Sequence, residues 1–196
     1  MTDTQQPEKT EQPTTEQPTT ELTGERADLV ESLRRHRDFL RFTVPGVTDE
    51  QARRRTTVSE LTLGGLIKHV ADTERSWADF IVAGPAPGPD IDWANVDWSN
   101  PPPEVAAWAD GHRMTEVETL EELLARYAEV ASRTDQLVAS LPDLDASQPL
   151  PAAPWFEPGK VWSARRTVLH IIAETAQHAG HADIIREALD GQKTMG

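Results

Sequence analysis

Residues 170–191 read HIIAETAQHAGHADIIREALDG, and this stretch decides the fold. Its apolar residues return every three or four positions, which is the spacing of one buried helix face. Ser163 ahead of it is a preferred N-cap residue, and Gly191 stands where a helix C-terminus favours glycine. We therefore predict a long last helix between these two residues, with inward positions at Val168, Ile171, Ile172, Thr175, Ala182, Ile185 and Leu189.

Three earlier stretches have the same periodicity. The first begins at Glu25 and ends before Pro45. The second follows the N-cap candidate Thr62, and the third is stopped by Pro142. No strand pattern competes, so the sequence predicts an all-α four-helix bundle over residues 24–191. The inward positions are Leu29, Leu33, His36 and Leu40 in the first stretch, Leu66, Val70, Thr73, Trp77, Phe80 and Ile81 in the second, and Leu120, Leu124, Tyr127, Ala131, Leu137 and Leu141 in the third.

The two ends of the chain are predicted to lie outside the bundle. Residues 1–23 contain the tandem EQPTT repeat and no aromatic residue. Such a composition cannot bury enough apolar surface to offset the entropy lost on ordering, so we predict a disordered tail. Residues 192–196 are predicted to form a short C-terminal tail.

Two long connections join the predicted helices. Residues 84–103 are rich in Pro, Gly and Asp and carry Trp93 and Trp98, so regular structure is not expected there. Because long loops are often functional, we hypothesise that this one covers one mouth of the bundle. A short helix over Glu104–Asp110 follows it, and the Pro-rich link over 148–162 precedes the last helix.

Composition narrows the classes of function. The 196 residues carry a formal net charge of −14, which would repel a phosphate backbone, so no nucleic-acid partner is expected. The basic run Arg53–Arg55 is interpreted as solvated surface. No apolar run approaches the roughly 20 residues of a membrane span, and the N-terminus lacks the pattern of a secretion signal, so a cytoplasmic location is expected. The chain has no cysteine, which leaves His and carboxylates as candidate metal ligands.

Polar residues interrupt two of the predicted apolar faces. His69 lies between Leu66 and Thr73 on the second helix. At 100° per residue, Glu174 and His178 on the last helix point with its apolar side and stack one turn apart. Imidazole nitrogen and carboxylate oxygen are ligands that Zn²⁺ accepts at about 2 Å, and three protein ligands leave one position open. The pattern predicts a divalent metal site.

The spacing alone leaves alternatives open. His69 could be a hydrogen-bonded core histidine while Glu174 and His178 only pair with each other. His170 has the same i, i+4 relation to Glu174, and His181 lies near the same face, so either could be the third ligand or an outer partner that orients one. The two remaining histidines, at positions 36 and 112, are interpreted as ordinary surface or core residues.

The segments TLGGLIKHVADTERSW over 62–77 and RRTVLHIIAETAQHAGHADIIREALDG over 165–191 resemble the DinB-like superfamily of four-helix metalloproteins. Within this superfamily, the chain most resembles the actinobacterial branch of mycothiol-dependent transferases, which is similar to maleylpyruvate isomerase. The resemblance extends from Arg26 to Gly191. Many relatives have a His where this chain has Glu174. The branch that uses mycothiol is similar in having Glu and His four residues apart. The resemblance implicates His69, Glu174 and His178 as the metal ligands and argues against His170.

This resemblance implies a divalent-metal-dependent thiol S-transferase, with zinc as the expected metal and mycothiol as the thiol cosubstrate. The partners would be an electrophilic small molecule and, as in relatives, a second copy in a homodimer. Trp77, Trp155 and Trp162 are candidates to line the substrate cavity. Two other functions stay open, namely a hydrolase that uses metal-bound hydroxide with His181 as the acid-base group, and a non-catalytic metal-binding bundle.

Overall fold

The computed structural model describes residues 22–87, 91, 95–97 and 99–194, without the side chains at 104 and 107–109. Nearly all of the predicted N-terminal tail lies outside the described residues, and so do Trp93 and Trp98 of the predicted loop. Of the tail, Leu22 and Thr23 are described, and Leu22 packs against the core beside the first helix. The placement of the loop over a mouth of the bundle stays a hypothesis.

Six helices account for most of the described chain, and four long ones form the predicted all-α bundle. The long helices are α1 (Glu25–Phe42), α3 (Leu63–Ala83), α5 (Leu120–Ser140) and α6 (Ala164–Asp190), and the short ones are α2 (Asp49–Arg53) and α4 (Pro103–Asp110). Helix α4 coincides with the short helix predicted over Glu104–Asp110. The prediction of an all-α bundle is confirmed.

The predicted caps hold the helices at their ends. The hydroxyls of Thr62 and Ser163 accept hydrogen bonds from backbone N–H groups in the first turns of α3 and α6. Gly191 ends α6 in the left-handed conformation, where a side chain would be strained. Local chemistry therefore fixes where the two helices that carry the predicted metal ligands begin and where α6 ends.

The Pro-rich link before α6 contains a small sheet that the sequence did not predict. Strands β1 (Ser147–Pro149) and β2 (Val161–Ser163) pair antiparallel, with Gln148 opposite Trp162. Three-residue strands are too short to give a readable alternation of polar and apolar side chains. This two-stranded sheet places Trp162 directly before the N-terminus of α6.

Helix α6 packs against α1 on one side and α3 on the other, and α3 also packs against α5. The apolar core consists of two clusters. The members of the first include Leu40, Leu66, Ile67, Tyr127, Ala182 and Ile185, and those of the second include Leu29, Leu33, Val138, Val168 and Ile171. The predicted inward faces are therefore largely the buried ones. None of the described helices is long and apolar enough to span a membrane.

The prediction of His36 as an inward position of α1 is wrong, because the neighbouring Arg37 is the buried residue. His36 is only partly buried, whereas Arg37 is 2% exposed and points into the bundle. Its guanidinium donates to both carboxylate oxygens of Glu74, at 2.6 and 3.1 Å, and to Asp135 at 2.7 Å. A buried charge requires such partners, because desolvation without them costs several kcal/mol. This ion pair ties α1 to α3 and α5.

The interpretation of Arg53–Arg55 as solvated surface is wrong for Arg53. Its guanidinium donates to the backbone carbonyl of Thr115 at 3.0 Å and to that of Glu118. It is placed by α2, whose N-terminus carries a capping box between Thr48 and Gln51. The basic side chain thus holds the segment that precedes α5.

We expect Glu74→Leu to lower the free energy of unfolding by about 3–5 kcal/mol, because it leaves the Arg37 guanidinium buried with half of its partners. Adding Arg37→Met should restore most of that loss, since Asp135 keeps its second partner Arg34. The control Arg34→Ala, at a side chain 64% exposed, should cost less than about 1 kcal/mol. Urea unfolding measures all three, and a double variant no more stable than Glu74→Leu would contradict the assignment.

Candidate metal centre

The three predicted ligands come together between α3 and α6. His69, Glu174 and His178 each offer one ligand atom, and these atoms all lie within 4.8 Å of one another. The His69 and His178 rings meet edge to face with centroids 4.8 Å apart. All three side chains are partly buried. The structure therefore brings the predicted residues together, and their binding of a metal stays a prediction.

The i, i+4 pair on α6 is aligned for shared coordination. His178 Nε2 lies 3.5 Å from Glu174 Oε2. The other ring nitrogen of His178, Nδ1, lies 3.5 Å from His181 Nδ1. One edge of the His178 ring thus faces the centre, while the opposite edge faces His181. An outer partner for a ligating imidazole commonly has this position, and it matches one of the roles predicted for His181.

His170 lies beside the centre, one turn before Glu174. Its Nε2 is 3.6 Å from Glu174 Oε1, so the two carboxylate oxygens face different histidines. The His170 ring contacts Trp77 and Trp162, with both centroid distances 4.9 Å. This arrangement places His170 at the edge of the predicted ligand set.

An aromatic cluster extends away from His170. Trp77 and Trp162 stack with centroids 5.1 Å apart, Phe156 meets both rings edge to face, and Trp155 contacts Phe156. Trp155 is 57% exposed, so the cluster reaches the surface. The three tryptophans proposed from the sequence therefore belong to one group next to the centre.

His112 is the site residue that sequence reasoning missed. Its ring stacks on His69 with centroids 3.8 Å apart and planes 22° from parallel. It lies in the segment between α4 and α5, where no helical periodicity links it to the other histidines. The interpretation of His112 as an ordinary surface or core residue did not foresee this contact with His69, because tertiary packing supplies it.

The electrostatics of the cluster favour the protonation states of His69 and Glu174 that bind a metal ion. Burial, with the neighbouring His112 and His178, lowers the pKa of His69 to about 4. The hydrogen bond from His178 and the nearby imidazoles lower the pKa of Glu174. Burial lowers the pKa of His170. At neutral pH the centre thus offers a neutral imidazole lone pair from His69 and an anionic carboxylate, which are the forms that ligate.

This donor set fits a divalent cation of the zinc type. Two imidazoles and one carboxylate match the ligands of catalytic zinc sites, which keep a position open for water or substrate. The positive charge of an ion would compensate the charge of the partly buried Glu174 carboxylate. His69, Glu174 and His178 are therefore the residues that would hold the ion.

Metal analysis of purified variants tests the ligand set. Because three ligands are few, His69→Ala and His178→Ala should each lose most of the roughly one equivalent of metal expected in the native protein. The control His36→Ala replaces a histidine on α1 whose ring contacts Phe39, and it should keep the metal. Full retention of metal in either ligand variant would remove that residue from the site.

The lowered pKa of His69 also predicts how the metal-free protein responds to pH. As pH falls through about 6.5, His69 takes up a proton in the unfolded chain but not in the folded one, until the pH nears 4. Folding stability should therefore decrease on acidification. Between pH 7 and 5 the native protein should lose about 1 kcal/mol more than His69→Gln. Equal losses in urea unfolding of the two proteins would contradict the burial of a neutral His69.

Comparisons with known proteins agree with this architecture. A crystal structure of a conserved protein from Enterococcus faecalis matches with a TM-score of 0.60 and 16% identity, covering 87% of this chain and 100% of that chain, which shows the shared fold. No curated protein matches. The family model described as mycothiol-S-transferase matches residues 28–191, almost the whole bundle. The resemblance found in the sequence is thereby confirmed, and the chain belongs to the mycothiol-S-transferase family of DinB-like four-helix bundles.

Proposed function

We propose that this protein is a divalent-metal-dependent S-transferase that transfers mycothiol to an electrophilic small molecule, with zinc as its metal. The observation that carries the proposal is the convergence of His69, Glu174 and His178 in a chain without cysteine. Family membership supports the transferase activity and the thiol. The metal, its ligands and the class of electrophile are the parts that the proposal adds.

The chain must activate a thiol without a sulfur nucleophile of its own. A bound divalent ion would lower the pKa of a coordinating thiol enough to deprotonate it at neutral pH. His69 and His178 contribute neutral donors, so only Glu174 offsets the charge of the ion. His181, whose Nδ1 lies 3.5 Å from Nδ1 of His178, would fix the orientation of that ring.

The aromatic cluster of Trp77, Trp155, Phe156 and Trp162 supports a planar or apolar electrophile. It begins at His170, which lies against Glu174, and it ends at the exposed ring of Trp155. Aromatic faces bind flat apolar groups by stacking and exclude water from them. The electrophile would therefore reach the centre along these rings.

The reaction balances as a simple substitution. The thiol gives up its proton to solvent, and the sulfur electron pair forms the new bond to carbon. With a haloaromatic acceptor, the carbon–halogen bond breaks and halide leaves. No oxidant or reductant takes part.

The position of His181 favours the transferase over the hydrolase alternative. A hydrolase needs an acid-base group that faces the open ligand position. His181 instead lies at the Nδ1 edge of His178, opposite the edge that faces Glu174.

We propose the cytoplasm, where small thiols are kept reduced, as the location of the protein, and a homodimer as its assembly.

Mixing the purified protein with mycothiol and 1-chloro-2,4-dinitrobenzene tests the proposal, and the conjugate is followed by its absorbance. We expect a rate that falls at least tenfold on chelation or in His178→Ala and returns when zinc is added back to the native protein. The control His36→Ala should react at the native rate. Conjugation unaffected by complete metal removal would contradict metal dependence, and no conjugation with any of several electrophiles would contradict the transferase.

A further inference from the structure

Two adjacent glycines near the start of α3 make a notch in the helix surface. A Cβ on Gly65 would lie 2.0 Å from the backbone carbonyl oxygen of His112, and a Cβ on Gly64 would lie 2.3 Å from the sulfur of Met114. Both distances are far inside van der Waals contact. Each glycine costs a helix about 1 kcal/mol relative to alanine, so a pair of them indicates a packing requirement. That requirement is the close approach of the segment 112–114.

Further contacts hold this segment in the notch. Met114 is 3% exposed and packs in the core. Lys68 of α3 donates to the Arg113 carbonyl at 3.2 Å and pairs with Glu118 at 2.8 Å. Glu118 in turn accepts from the Thr115 backbone N–H at 2.7 Å. Together with the contacts of the Arg53 guanidinium to the carbonyls of Thr115 and Glu118, these bonds fix the backbone that directly follows residue 112.

The notch and the centre lie on the same helix, one turn apart. Because the backbone of residue 112 is seated on Gly65, its ring falls on the ring of His69, four residues further along α3. The stack limits rotation of the His69 ring about its side-chain bonds. A ligand whose ring is held before binding loses less conformational entropy when it coordinates.

We propose that His112, seated by the Gly64–Gly65 notch, is a positioning residue that holds the His69 ring in its metal-binding orientation. The contact is made by ring stacking, so it depends on an aromatic ring at position 112 and on the depth of the notch. This inference rests on the metal binding of the proposed function and not on its thiol chemistry. It also explains the presence of the two glycines, which serve the close approach of residues 112–114 and not the formation of α3.

Metal affinity and the metal-free spectrum of four variants test the proposal. His112→Ala removes the stack, His112→Phe keeps a ring there, and Gly65→Ala fills the notch. The control Gly180→Ala adds a methyl group to a helical glycine of α6 where nothing lies within 4 Å. Competition with a chromogenic chelator gives the zinc dissociation constant. NMR of the metal-free protein gives the ring-proton shifts of His69, which report a stacked neighbour directly.

We expect His112→Ala and Gly65→Ala to weaken zinc binding about tenfold and to move the His69 ring signals. His112→Phe and Gly180→Ala should stay within about twofold of the native affinity. Since His112 is only partly buried, its variants should fold even if Gly65→Ala does not. Equal weakening by His112→Phe and His112→Ala, or no change of either readout in His112→Ala, would overturn the positioning role. A native protein that binds no zinc would overturn the positioning role and the proposed function together, whereas one that binds zinc but forms no thiol conjugate would contradict the transferase alone.

Discussion

The packing of α3 against α6 is the constraint on which the rest of the centre depends. Neither helix carries a complete ligand set, because His69 is on one and the i, i+4 pair Glu174 and His178 is on the other. The apolar residues around them, including Leu66 and Ile171, fix the level at which the helices meet. The chemistry is therefore supplied by polar residues, but their convergence comes from hydrophobic packing.

Two kinds of polar group lie within this bundle, and their partners distinguish them. Arg37 and Glu74 are almost fully buried and share two hydrogen bonds, and Asp135 accepts a third from the Arg37 guanidinium. This network satisfies the buried charges and ties the helices together. In contrast, His178 Nε2 lies 3.5 Å from Glu174 Oε2, and one ring nitrogen of His69 lies within 4.8 Å of the ligand atoms of both residues. That geometry has room for a small cation, whereas the ion pair does not.

Periodicity was enough to predict the four long helices and to put His69, Glu174 and His178 on inward faces, and the family resemblance then singled out these three as the candidate ligands. Periodicity failed at Arg37, since neighbouring positions on a helix differ by only 100° and a long arginine can reach a partner that histidine cannot. His112 could not be found this way, because it lies in a loop and its contact with His69 depends on tertiary packing. The glycine pair in TLGGLIKH was the available signal. Two glycines in a helix imply close approach of another segment, although they do not say which segment.

X-ray diffraction from crystals of the protein purified without chelator, recorded on both sides of the zinc absorption edge, tests the central claim most directly. The account predicts one anomalous peak that appears only above the edge, at coordination distance of about 2 Å from the side chains at 69, 174 and 178. A peak bound by other residues, or no peak in crystals soaked with zinc, would contradict it.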